Sequence, residues 1–148
     1  MTERNVFLKN LADFEPVLNR FDYFRNEYEE PKLATSVDNW SVLFINMRLS
    51  RKVYMDFTLT QDGIVLISFT MYKIPKEKTF FSLFDFLKNH NLEDEISHKL
   101  EPGGDLDKFC QDYFKSLGNL FENELNDQIT GKTFENHWQA LMDSMNDY

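Results

Sequence analysis

The chain has 148 residues, of which 42% are hydrophobic and 16% aromatic, and its formal net charge is −9 at pH 7. A chain with this apolar content can offset the entropy lost on folding by burying side chains, which disfavours intrinsic disorder. Its length fits one domain, and we therefore predict a single domain over residues 1–148. The negative charge disfavours binding to nucleic acid or to an anionic membrane surface.

The net charge is confined to the C-terminal part of the sequence, residues 91–148. Residues 91–148 contain thirteen acidic and four basic residues, whereas residues 1–90 contain twelve of each. A charge distribution this uneven attracts cationic partners. The C-terminal region is therefore the expected contact surface.

Cysteine content and hydropathy predict a cytoplasmic protein. Cys110 is the only cysteine, so an intrachain disulfide is excluded, which favours a reducing compartment. The first ten residues mix acids and bases and do not resemble a signal peptide. The apolar run at residues 42–45, which no other run in the sequence exceeds, is far shorter than the roughly 20 apolar residues of a membrane-spanning helix.

The first 28 residues are predicted to form one or two helices. Apolar residues recur there at the three- and four-residue spacing of a helical face, namely at Val17, Leu18, Phe21, Phe24 and Tyr28. Pro16 fits the first turn of a second helix, where its missing N–H costs nothing. The polar residues 29–32 are expected to end the helix.

Residues 40–73 change to the two-residue period of strands. Residues 53–60 alternate apolar and polar side chains, and Asp62-Gly63 follows as a hairpin signal. With residues 40–49 and 64–72 on either side, this predicts three antiparallel strands. The first and third strands carry apolar residues on both faces. We expect helices to cover parts of both faces; the alternative is that one face awaits a partner.

From residue 79 onward the pattern is helical. We predict a helix capped by Thr79, a short helix capped by Asn91 that reaches Leu100, and a third that starts at Asp105 and stops at Gly131. Thr133 is predicted to cap a last helix with a core-facing stripe of Phe134, His137, Trp138, Leu141, Met142 and Met145. The predicted fold class is α+β, with N-terminal helices, a three-stranded antiparallel β-meander, and a C-terminal block of about four helices packed on the sheet.

Motifs that would carry chemistry are incomplete. Gly131-Lys132-Thr133 resembles the end of a phosphate-binding loop, but Asn126 stands where that motif needs its first glycine. The histidines at 90, 98 and 137 lack the spacing of a zinc site. Cys110 lies on the apolar face of its helix and is expected to be a buried structural thiol. We therefore predict no enzymatic activity, no catalytic residues, no cofactor and no metal site.

The acidic C-terminal region suggests a function in protein binding. We expect a module that neutralises a cationic protein, in the general manner of bacterial immunity proteins or antitoxins, by opposite fields that speed and select encounter. The alternative is a homodimeric adaptor or secretion-type chaperone that docks a partner on its apolar strands. An enzyme with a scattered site would require the histidines to meet acids in space. The expected partner-binding residues are Glu93, Asp94, Glu95, Glu101, Asp105, Asp107, Asp112, Glu122, Glu124 and Asp127.

Overall fold

The computed structural model describes residues 2–32, 37–75 and 78–146. Five helices lie within these residues, α1 (Glu3–Arg20), α2 (Leu83–Asn89), α3 (Leu106–Glu122), α4 (Asn126–Thr130) and α5 (Trp138–Asn146). The strands are β1 (Phe24–Lys32), β2 (Val37–Asn46), β3 (Arg51–Thr60), β4 (Val65–Lys73), β5 (Phe80–Ser82) and β6 (Lys99–Leu100). The α+β class is confirmed. In the described ranges, no helix is both long and apolar enough to cross a membrane.

The strands form one antiparallel sheet in the order β1-β2-β3-β4-β5. β6 pairs with β4 on the same side as β5, further along the strand. The predicted meander is present as β2, β3 and β4, with a turn at Asp62-Gly63 where Gly63 has a φ of 83°. The prediction of only three strands was wrong, because β1, β5 and β6 extend the sheet.

The N-terminal prediction was wrong after residue 20. A single helix, α1, runs from the Thr2 cap to Arg20 with Pro16 inside it. Asp22 then takes a φ of 70°, which ends the helix and turns the chain into β1. Phe24 and Tyr28, which share a helical spacing with Phe21, therefore belong to a strand.

The hydrophobic core lies on one face of the sheet, which we call the packed face. Val53, Met55 and Phe57 of β3 alternate with partly exposed neighbours and are buried there. Phe7 of α1 stacks on Phe57 with ring centroids 5.2 Å apart. Phe121 of α3 packs edge-on against Phe69 of β4, at 5.7 Å. Helix α2 contacts the same face through the rings of Phe86 and Phe81. These contacts place the first three helices on the packed face.

The opposite face of the sheet, which we call the open face, remains partly exposed. Leu43, Tyr54 and Tyr72 on this face are each only partly buried. Phe24 of β1, paired in register with Ile45, is 55% exposed. The ring contacts of α1, α2 and α3 described above lie on the packed face and do not support the expectation that helices cover parts of both faces.

The helix predicted from Thr79 begins later, at Leu83. Phe80 and Phe81 instead pair with Tyr72 and Met71 as β5, and the Ser82 side chain caps α2. The helix predicted from Asn91 to Leu100 is replaced by a short 3-10 helix, Glu93–Glu95, and by β6.

The last predicted helices are also divided differently. Asp105 caps α3 as predicted, but α3 ends at Glu122, and α4 is a separate helix that Gly131 terminates with a φ of 93°. Residues 134–137 precede α5 without forming a helix. In the predicted core stripe, His137 is buried, whereas Met145 is 59% exposed. The stripe was therefore wrong as a core face, because hydrogen bonds to β5 hold this part of the chain along the sheet edge.

Candidate functional site

Four of the ten acidic residues expected to bind a partner meet in one open groove. The groove has a volume of about 440 Å³ and lies between the 3-10 helix segment and the first half of α3. Asp94 and Glu95 line one wall, and Asp105 and Asp112 line the other. We call this feature the acidic groove.

Local structure explains how the two walls are positioned. The Asp105 carboxylate accepts the Lys108 N–H at 3.1 Å and so caps α3 at the groove's edge. Asp112 lies seven residues later, which returns it to the same side of the helix. On the other wall, buried Ile96 anchors the segment that carries Asp94 and Glu95. Buried Ile96 therefore holds the 3-10 segment in place, so that Asp94 and Glu95 line the same groove as Asp105 and Asp112.

Two lysines moderate the charge of the acidic groove. Lys108 pairs with Asp112 at 3.1 Å, and Lys99, which also lines the groove, pairs with Glu101 at 3.2 Å. Four acids against two lysines among the lining residues leave a formal charge of −2. Exposed pairs of this kind contribute only about 0–1 kcal/mol, so an incoming cation can compete with Lys108 for Asp112.

The other acidic residues do not join this groove. Glu93 is in the same 3-10 helix as Asp94 and Glu95 but does not line the groove. Glu101 lines a neighbouring cleft with Glu3. Asp107 faces α1, where it accepts the Asn10 side-chain amide at 2.9 Å and pairs with Lys9 at 3.3 Å. These hydrogen bonds, that from Asn10 first, lower the pKa of the Asp107 carboxyl.

The remaining three acids lie at or beyond the other end of α3, roughly 25 Å away at the helical rise of about 1.5 Å per residue. Glu122 pairs there with Arg20 at 2.9 Å, and Asp127 lies 3.9 Å from Lys132. Glu124 is exposed in the turn between α3 and α4. The ten acidic residues therefore form no single patch.

Two of the three histidines do meet an acid. Glu135 receives the Nε2 atoms of His90 at 2.6 Å and of His137 at 2.7 Å, one on each carboxylate oxygen. The Nδ1 atom of His137 accepts the Ser82 N–H at 3.0 Å. His137 is 4% exposed and both its ring nitrogens are engaged, so it is a structural residue and not one placed to react with a substrate.

The environment of Glu135 favours its charged form. Burial alone would raise the pKa of its carboxyl, but hydrogen bonds from His90 and His137 outweigh burial, and the pKa is lowered. The cluster joins the end of α2, the edge of β5 and the segment before α5. His98 lies apart from it, edge-on to Phe84 at 5.3 Å. In the described residues, no group of three or more His, Cys, Asp or Glu side chains has the geometry of a metal site.

The other sequence features have structural roles. Cys110 is buried, and burial together with the nearby charge of Asp107 raises the pKa of its thiol to about 12. A thiol with that pKa is protonated at neutral pH and is a poor nucleophile. Gly131 ends α4, and Arg51 of β3 connects α4 to the following loop by donating to the carbonyls of Gln128 in the helix and Thr133 in the loop. The loop is therefore held by a buried arginine, with no preceding strand of the kind a phosphate-binding loop needs.

Sequence reasoning missed the residues that shape the acidic groove. Phe109 and Tyr113 lie on its floor but were assigned only to the core stripe of α3. Their spacing of four and eight residues from Asp105 puts them on one helical side and could have signalled a shared surface. The approach of Asp94 to α3 has no local signal, since it depends on the path of the chain after α2. Comparison of the chain with protein-family models, curated proteins and solved structures gave no match.

Proposed function

We propose that this protein is a non-enzymatic, cytoplasmic binding module that neutralises a cationic protein, as an immunity protein or antitoxin does, and that the acidic groove is its contact surface. The observation that carries the proposal is the meeting of Asp94, Glu95, Asp105 and Asp112 across one open groove.

The shape of the acidic groove fits a side chain that enters it from a partner. Its walls are anionic, while Ile96, Phe109 and Tyr113 supply an apolar floor. A lysine or arginine has an aliphatic stem and a charged end, so both parts of such a side chain find complementary surface. The long-range field of the C-terminal region would speed the encounter, and the floor would slow dissociation.

Charge reversal inside and outside the groove tests the proposal. The groove variant combines Asp94→Lys with Glu95→Lys. The control variant combines Glu124→Lys with Asp143→Lys, two positions outside the groove, and changes the net charge by the same amount. Tagged wild-type and variant proteins would be used to capture partners from the source cells at low salt, with identification by mass spectrometry. We expect one basic protein to be retained by the wild type and the control variant and lost by the groove variant.

The affinity of the identified complex should then fall with added salt, because exposed charges are screened within about 10 Å at 0.1 M. Binding that is equal in the groove variant and the wild type would contradict the proposal. Loss of binding in both double variants would leave net charge, and not the groove, as the determinant and would also contradict it.

A homodimeric adaptor is the second candidate, and the open face favours it. Phe24 is 55% exposed there, and Tyr54 and Tyr72 contact each other edge-on at 5.8 Å on the same face. Light scattering after size exclusion separates the candidates. A stable homodimer that Phe24→Asp dissociates supports the adaptor, whereas a monomer across the micromolar range supports neutralisation.

A further inference from the structure

Another concave feature lies at the edge of β4. There β5 pairs with residues 70–72 and β6 with residues 65–66, which leaves a gap between the two short strands. The Ile67 N–H donates to the His98 carbonyl at 3.0 Å within this gap. A cavity of about 250 Å³ lies beside it, and we call it the β4-edge cavity. Ile96 and Tyr113 separate it from the acidic groove, because both residues line both features.

The walls of the β4-edge cavity are uncharged. Its lining includes Phe69, Leu83, Leu87 and Ile96. Among the described residues that line it, none is an aspartate, glutamate, lysine or arginine. This differs from the acidic groove and stands out in a chain with 28% charged residues. An ion placed there would lose its water without gaining a partner, so the lining selects a neutral molecule.

The size and aromatic content of the cavity narrow the ligand further. An apolar cavity of about 150 Å³ is large enough to hold benzene, so this one accommodates a substituted single ring. Phe69, Phe84 and Tyr113 contribute rings to the lining, and aromatic pairs prefer the offset and edge-on contacts that such walls provide. His98 is at the same wall, and burial, with the charge of Lys99, lowers its pKa, which favours an uncharged imidazole.

Tyr113 supplies a polar group without a partner. Its side chain is 2% exposed and lines the cavity, yet its hydroxyl makes no hydrogen bond within the described residues. A buried hydroxyl left unpaired is unfavourable and therefore calls for a physical reason. Burial, with the charge of Asp56, raises the pKa of this hydroxyl, so it keeps its proton and can donate.

We propose that the β4-edge cavity binds a small, uncharged aromatic molecule bearing one oxygen, which accepts a hydrogen bond from the Tyr113 hydroxyl. Binding of this ligand goes beyond the proposed function and does not depend on it. The ligand class follows from the uncharged lining, the three aromatic rings and the unpartnered hydroxyl together.

Three probes of similar size test the ligand class. Acetophenone has a ring and a carbonyl oxygen, ethylbenzene lacks the oxygen, and benzoate carries a charge. Saturation-transfer NMR and amide shifts of the full-length protein would measure binding of each. We expect acetophenone to shift the amides of Leu83 and Ile96 and to bind about threefold to tenfold more tightly than ethylbenzene, as one neutral hydrogen bond predicts. Benzoate should bind at least tenfold more weakly than acetophenone.

Two variants test the site. Tyr113→Phe preserves the ring and should remove the preference for acetophenone over ethylbenzene. Leu87→Trp fills the cavity and should abolish binding of both. The charge-reversed groove variant should bind acetophenone like the wild type, which separates this proposal from the first. Absence of binding by the wild type, tighter binding of benzoate, or an unchanged preference in Tyr113→Phe would each overturn the proposal.

Discussion

The packed face and the open face belong to the same strands but meet different surroundings. In β3, Val53, Met55 and Phe57 are buried, whereas the residue that follows each of them, Tyr54, Asp56 and Thr58, is partly exposed. The packed face is specified by contacts with α1 and α3, and the open face by contacts within the sheet, such as the hydrogen bonds of Ser41 and Ser68 with Asp56. Adjacent residues should therefore differ in their contribution to stability by several kcal/mol.

The largest difference should separate Phe57 from Thr58. Phe57→Ala removes a buried ring that stacks on Phe7, and we expect it to lower the free energy of unfolding by about 3–5 kcal/mol. Thr58→Ala, one residue away on the open face, should cost less than about 1 kcal/mol. Urea denaturation of the two variants measures the contrast. Equal losses would mean that the open face is covered in solution.

A smaller contrast is expected between Arg51 and Lys52. Arg51 is buried on the packed side and donates to the carbonyls of Gln128 and Thr133, so Arg51→Met leaves two acceptors without a donor. We expect a loss of about 2–3 kcal/mol. Lys52 lies over the rings of Tyr54 and Tyr72 on the open face, and Lys52→Met should cost at most about 1 kcal/mol. Chemical denaturation at pH 7 tests both, and a reversal of their order would contradict the assignment of faces.

The contribution of Glu135, at the edge of the sheet, to the stability of the fold should depend on pH. Because the pKa of Glu135 is lowered in the folded state, its charged form stabilises the fold above its ordinary pKa of 4.5, and this contribution is lost as the pH falls through the folded value. The stability difference between wild type and Glu135→Gln should therefore be full at pH 6 and shrink below about pH 4.5. Thermal unfolding from pH 3 to pH 7 measures it, with Glu124→Gln as the control. A difference that is constant with pH would show that Glu135 acts only through its shape.

The smallest effect is expected at Phe24. Its ring is 55% exposed on the open face, so Phe24→Ser should change the stability of the monomer by no more than about 0.5 kcal/mol. Urea denaturation at two protein concentrations measures this effect. A large loss that depends on concentration would instead indicate that the ring is buried between two copies of the chain.

The parts of the fold that sequence predicts are those with long regular patterns. The alternation of residues 53–60 and the Asp62-Gly63 turn identify β3 and its hairpin because a strand has a fixed two-residue period. β1 was missed because Phe21, Phe24 and Tyr28 also fit a helical spacing, and only the turn at Asp22 separates helix from strand. β5 and β6 have three and two residues and are too short to show a period.

The sequence identifies the acidic residues of the candidate site but not their arrangement in space. The acids are evident in the sequence, but only the fold shows that Asp94 approaches Asp105 while Glu122 lies at the far end of α3. The same limit applies to Glu135, whose partner His90 is 45 residues away in sequence. Such contacts arise from packing between distant segments, which no local pattern records.

The edge strand β1 affects the tendency of this aromatic-rich chain to aggregate at high concentration. Within the described residues β1 pairs only with β2, and its register is interrupted between Arg25 and Glu29. An irregular, charged strand containing Pro31, which lacks an N–H, is a poor template for a strand from another molecule. The edge strand β1 should therefore hinder fibre growth. A Pro31→Val variant that formed fibres no faster than the wild type would contradict this.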